Sequence, residues 1–282
     1  MFAGLSMASI LLMIALGLAI IYGAMGVINL AHGEFLMLGG YTVVVATNNG
    51  VNLWFAMLIL APLVVGLIGL IVERCLIQWL YGRMIDTLLA TWGLSLLFIG
   101  IITSIFGAST STVISPPLGT VTIGEYTSSG YELFLIFVVI VLLALVYLTL
   151  KFTSLGLVAR ATMQNSDMSA CLGISTSKIY MVTFSLGAAV SGLAGGLLVP
   201  ITGVLPNIGV IYIAKAFITV ISGGSAILAG TTSASVLLGG VNGIMSYITG
   251  PTFGEVALLF TAIILLRLMP TGITGRFFRK SQ

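Results

Sequence analysis

Long apolar runs fill this chain, and its polar residues gather in the short gaps between them. The runs cover residues 5–28, 34–46, 53–79, 87–106, 131–150, 179–198, 208–221, 233–248 and 255–268. A helix that crosses a bilayer needs about 20 mostly apolar residues. The longer runs reach that length, so the pattern predicts an all-α, polytopic bundle of about 8–9 membrane segments. The runs 34–46, 208–221 and 233–248 are short and read as half-helices or re-entrant pieces. The first run lacks a basic leading region and is read as a transmembrane helix, not a signal peptide.

Composition narrows the class further. Only 6% of the 282 residues are charged and 59% are hydrophobic, whereas soluble domains carry about a quarter charged residues. Lipid must therefore be the solvent for most of the surface. The chain reads as a single membrane domain over 1–282. Thirty-five glycines suit close helix packing where no hydrophobic attraction draws helices together. The two cysteines, Cys75 and Cys171, form no disulfide framework and are expected to be buried, inert thiols.

Loop charge predicts the orientation. Arg74 and Arg83 flank one short loop. Lys151, Arg160 and Lys178 lie in a long one, 151–178. Arg267, Arg276, Arg279 and Lys280 close the chain. These regions are assigned to the cytoplasm. The loops 48–52, 107–130, 200–207 and 249–253 have no Lys or Arg, and 107–130 carries Glu125; these face outward. The N-terminus then lies outside and the C-terminus inside.

Several kinds of chemistry are missing. No GxxxxGK[ST] loop, GxSxG elbow or HExxH helix occurs, so the chain is expected to be no enzyme and to hold no metal or cofactor of its own. Polar residues inside a membrane segment are costly and mark sites. Asn29, His32 and Glu34 cluster at a break between the first two runs. His32, Gly33 and Glu34 are read as structural, capping and orienting that turn. Asn29 is the better solute contact, because its amide both donates and accepts. Thr91 and Ser95, one helical turn apart, either line a path or bond back to carbonyls. Arg83 and Asp86 anchor the start of that helix. Glu73 and Arg74 read as a local ion pair or a snorkelling arginine. Lys215 sits inside an apolar run, paired, snorkelling or facing a cavity. A second small-residue break contains Gly223 and Gly224. It is either a weak repeat of the first break or another tight turn.

The loop 151–178 is the longest gap carrying several basic residues. Its segment 155–172 has apolar residues at helical spacing and ends at Gly173, which predicts one short surface helix. Held between two membrane helices, such a helix can transmit a push from a soluble partner.

Four stretches carry a family resemblance that runs over nearly the whole chain. Residues 4–41 contain an N-x-A-H-G-E core at Asn29, Ala31, His32, Gly33 and Glu34. The others are LYGRMIDTLLATWGLS (80–95), RATMQNSDMSACLGI (160–174) and LPNIGVIYIAKAFITVISGGSAILAG (205–230). Together they resemble permeases of the branched-chain amino acid type of ABC importer, and 80–95 most resembles the urea branch. The resemblance implies translocation of urea or a similar small neutral amide by alternating access. Branched-chain or neutral amino acids are the alternative, and a passive urea or water channel is a rival of a different class. It also implies two ABC ATPase subunits that bind ATP and Mg, a second related permease in a heterodimer, and an external solute-binding protein. The setting implied is a bacterial cytoplasmic (inner) membrane, with lipid around the chain and no nucleic acid. The coupling residues implied are Arg160, Ala161, Asn165, Asp167, Ala170, Gly173 and Ile174. Three features depart from the urea pattern: Lys215 where an acid is usual, Gly223-Gly224-Ser225-Ala226-Ile227 in the second break, and Met269-Pro270-Thr271-Gly272 near the end.

Overall fold

A computed structural model describes residues 2–113, 116, 118–123, 126–224 and 226–278. Glu125, Ser225, Arg279 and Lys280, used in the sequence reading, lie outside the described residues. In chain order the elements are α1 (Phe2–Met25), α2 (His32–Asn48) and α3 (Leu53–Phe55). A π-helical turn (Ala56–Leu60) joins α3 to α4 (Ala61–Cys75). A 3-10 turn (Ile77–Leu80) precedes α5 (Met84–Phe106). Strands β1 (Thr120–Ile123) and β2 (Tyr126–Ser129) lead into α6 (Gly130–Phe152). Then come α7 (Ser154–Gln164), α8 (Ser166–Cys171), α9 (Thr176–Thr202), α10 (Ile208–Gly223), α11 (Ile227–Thr249), α12 (Pro251–Leu268) and α13 (Gly272–Phe278).

Every apolar run of the sequence falls on helical structure, and the run 53–79 takes in α3, the π-helical turn, α4 and part of the 3-10 turn. Seven stretches are long and apolar enough to cross a membrane: Gly4–Met25, Leu53–Cys75, Met84–Phe106, Gly130–Phe152, Thr176–Thr202, Ile227–Thr249 and Pro251–Gly275. The chain is a multi-pass membrane protein. α2 and α10, at 17 and 16 residues, stay short. The run 233–248 does not: six residues before it, 227–232, join α11, even though Thr232 bonds back to the Leu228 carbonyl, a contact that slightly weakens a helix. The helical fold carries one small addition. β1 and β2 form an antiparallel pair in the loop 107–130, with Thr120 opposite Ser129, since Thr, Val, Ile and Tyr favour a pleated strand.

The chain divides into two compact units. One comprises Gly17–Ser115 and Val146–Ala214. Its core joins Ile21, Phe35, Val65, Val72, Ile77, Phe184 and Ala188. Phe35 meets Phe184 edge to face, with ring centroids 5.8 Å apart. α2 crosses α9 at van der Waals range because glycines meet there: a Cβ on Gly39 would fall 2.6 Å from Gly192 Cα. α4 packs on α9 in the same way, and Ser185 Oγ donates to the Gly66 carbonyl at 2.8 Å. Glu73, at the end of α4, does not pair with Arg74. It accepts the Tyr81 hydroxyl, while Arg74 turns to Gln78 (3.1 Å). Burial, and the Glu73 carboxyl beside it, push the Tyr81 phenol up, so it remains a donor. Arg83 pairs with Asp86 at 2.8 Å on the surface.

The other unit comprises Met1–Leu16, Pro116–Leu145 and Lys215–Gln282. Leu11, Leu238, Leu258 and Ala262 form its core, with Ile218 against them. Gly239 lies on Ala8, which brings α11 and α1 close. Lys215 pairs with Glu255 at 2.7 Å. α13 returns to the second break, where Thr274 Oγ1 donates to the Gly223 carbonyl (2.7 Å) and accepts from the Ala226 N–H (3.2 Å).

Candidate functional site

After Met25 the chain leaves the helix and crosses residues 26–31 without regular structure. Asn29 shapes this link: its Oδ1 accepts the Ala31 N–H at 3.0 Å, and its carbonyl accepts the His32 N–H at 3.3 Å. α2 then starts beside the middle of α9, where Ser191 Oγ donates to the His32 carbonyl at 3.4 Å. A helix start is thus placed along the middle of a membrane-length helix. α10 begins at the same place. A Cβ on Gly33 would fall 2.6 Å from the Gly209 carbonyl carbon, and one on Gly209 would fall 2.6 Å from that of Gly33. Any side chain at either position would force these two starts apart.

α5 brings a polar face to the same region. Thr91 and Ser95 are buried, whereas Trp92 is 55% exposed on the opposite side. Thr91 Oγ1 accepts the Leu30 N–H (3.2 Å) and its hydroxyl bonds back to the Leu88 carbonyl (3.1 Å). Ser95 Oγ donates to Glu34 Oε1 at 2.7 Å. The Glu34 carboxylate therefore reaches across to α5, and α2 has no side-chain cap of its own. Its Oε2 lies against Gly209, in the first turn of α10. His32 is fully buried, edge-on to Phe35 at 6.2 Å.

The group is sealed: Asn29 is 0% and Glu34 1% exposed. Asn29 Nδ2 and Glu34 Oε2 have no hydrogen-bond partner among the described residues. An orphaned buried polar atom costs about 1–3 kcal/mol, so two this close in sequence, one in the link and one in the first turn of α2, call for a reason. Among the described residues no cluster of His, Cys, Asp and Glu could hold a metal ion.

Gly223 and Gly224 lie in the second unit, at the turn that Thr274 holds. Gly224 has φ +85°.

The long loop holds two helices where one was expected. α7, with Arg160 and Ala161, stops at Asn165, whose backbone is extended (φ −156°). The Asn165 side chain then caps α8 by accepting the Met168 N–H at 2.9 Å, a competition with the helix that short amide side chains often win. α8 carries Asp167 and Ala170. It ends at Gly173 (φ +84°), and the Ile174 N–H closes on the Ser169 carbonyl at 3.1 Å. The elbow presents Leu155, Leu157, Met168 and Leu172 in the open. Cys75 and Cys171 are exposed, not buried; each is the last residue of its helix.

A family model described as branched-chain amino acid transport system / permease component matches residues 1–269. The chain belongs to this permease family. It is 30% identical to the permease protein BraD of a high-affinity branched-chain amino acid transport system in Pseudomonas aeruginosa, over 97% of this chain and 94% of the relative. It is 28% identical to the corresponding LivH protein of Salmonella typhimurium (98% and 94%). A probable LivH of Methanocaldococcus jannaschii is 27% identical (96% and 90%). No solved structure matches. As a permease component the chain is a transport subunit, not an enzyme. These relatives lend no support to the urea preference drawn from residues 80–95.

Sequence reading placed Asn29, Glu34, Thr91 and Ser95 on its candidate list, and the permease brings all four together. It missed Gly209 and Thr274. Gly209 is one small residue at the start of a run, which carries no signal by itself. Thr274 lies beyond the matched residues.

Proposed function

We propose that the chain is the membrane permease subunit of an ABC importer for branched-chain or related neutral amino acids. It works by alternating access in a bacterial cytoplasmic membrane, with its N-terminus outside and its C-terminus inside. Two ATPase subunits hold ATP and Mg, a second related permease completes a heterodimer, and an external binding protein delivers the solute. The observation that carries this reading is the elbow α7–α8. It is a capped, two-helix element with exposed apolar residues, set between the membrane-length helices α6 and α9. Such an element suits a soluble partner that pushes on it. Asn29, Thr91 and Ser95 then lie on the solute path, and Arg160, Ala161, Asn165, Asp167, Ala170, Gly173 and Ile174 take up the force.

The test is uptake by the assembled importer in proteoliposomes. Leucine, isoleucine and valine are expected to enter only with ATP and loaded binding protein. Uptake that survives without ATP would overturn the importer reading, and uptake of urea with none of the amino acids would overturn the substrate reading.

A further inference from the structure

The meeting of two helix starts around Glu34 has an electrostatic consequence. A helix start carries about half a positive charge, and α2 and α10 begin against each other. Glu34 supplies a carboxylate at the same point, where one oxygen is held by Ser95 and the other has no hydrogen-bond donor. Five residues earlier, in the link 26–31, Asn29 Nδ2 is a second buried group with no hydrogen-bond partner. The region therefore brings a carboxyl group against the positive ends of two helices, with an unpartnered amide donor close by in sequence.

We propose that this is the subsite for the main-chain ends of a zwitterionic amino acid. Glu34 Oε2 takes the ammonium. Asn29 Nδ2 takes the carboxylate. The inference rests on the amino acid reading above and deepens it. A neutral solute such as urea needs only amides and hydroxyls, and a carboxylate kept at this depth is a cost it does not require. A zwitterion satisfies both orphaned groups at once and adds no net charge. Because both atoms are sealed in this structure, solute reaches them only when the link 26–31 or the start of α10 shifts, the kind of motion alternating access supplies.

The test compares Glu34→Gln, Glu34→Asp and Asn29→Asp with wild type in the assembled importer, using leucine, isoleucine, valine and urea. E34Q is expected to lower amino acid uptake by about tenfold or more. The factor should be the same for all three side chains, since the site reads the ends they share. The variant should still assemble with its partner subunits. N29D should show the same pattern, and E34D, which keeps the charge, should recover part of the loss. Unaltered uptake in E34Q, or losses that differ between side chains, would overturn the subsite while leaving the amino acid reading intact. Joint loss of uptake, ATPase stimulation and assembly in all three variants would make these residues merely structural and also overturn it. Wild type that moves urea but no amino acid overturns both.

Discussion

Gly209→Ala probes the junction of α2 and α10 most directly. The new Cβ would fall 2.6 Å from the Gly33 carbonyl carbon and 2.7 Å from Glu34 Cδ, and closer still to Glu34 Oε2. The Gly33 backbone cannot rotate away, so the helices must part by about 0.8 Å to bring that contact from 2.6 Å to an ordinary 3.4 Å, which costs about 1–3 kcal/mol as overpacking. The carboxylate can rotate away, but only by leaving Ser95, and a buried hydrogen bond to a charged group contributes about 1.5–3 kcal/mol. Together the cost is about 2.5–6 kcal/mol. Ser95→Ala alone removes the same bond, about 1.5–3 kcal/mol. If G209A already breaks it, the double variant is hardly worse than G209A, and the coupling energy equals the Ser95 contribution. Equilibrium unfolding of the purified permease in mixed micelles, run as a double-mutant cycle, measures this. Costs that add to within about 0.5 kcal/mol would refute the claim that Gly209 holds the Glu34 carboxylate in place.

Asn165→Ala removes the cap of α8 and should cost about 1 kcal/mol of helix stability. With Gly173→Pro, whose fixed φ near −65° is incompatible with +84°, it should uncouple ATP hydrolysis from uptake in the reconstituted importer. Normal coupled uptake in both variants would count against the elbow's role. Thr274→Val breaks two hydrogen bonds at the second break and should destabilise the permease by about 1–3 kcal/mol, read in the same micelle assay. Cys171 should react with a soluble maleimide in the isolated permease and be protected once the ATPase subunits are bound, and equal labelling in both states would place the docking surface elsewhere.

The helices were legible because a bilayer imposes a strict length on apolar runs, and each run became a helix. The polar residues Asn29, Glu34, Thr91 and Ser95 stood out because such side chains are rare between leucines. What they touch did not, because side-chain reach across 61 residues, from Ser95 to Glu34, leaves no local pattern. The break at Asn165 was hidden for a different reason. The apolar spacing of 155–172 is helical throughout, and only the competition of the Asn side chain for the Met168 N–H splits it. The cysteines were misjudged by the general preference of thiols for cores, which says nothing of which side of a helix end a given residue faces. The urea preference came from the single stretch 80–95, and the similarity to BraD and LivH over nearly the whole chain lends it no support.

That group also explains why a chain so poor in charge retains Glu34. Among the described residues the ion pairs are Arg83 with Asp86 and Lys215 with Glu255, and neither involves Glu34. A lone carboxylate among apolar helices is expensive unless other dipoles replace water around it. Ser95 supplies one donor, and the starts of α2 and α10 supply aligned backbone dipoles without any basic side chain that would fill the space. Glycine at both 33 and 209 is what lets the two starts approach closely enough to do so. The same arrangement leaves one carboxylate oxygen without a hydrogen-bond donor. A lysine or arginine in place of the helix starts would have neutralised Glu34 more completely and closed off that oxygen. The use of backbone dipoles in place of a basic side chain is therefore what keeps the site able to exchange an ammonium group.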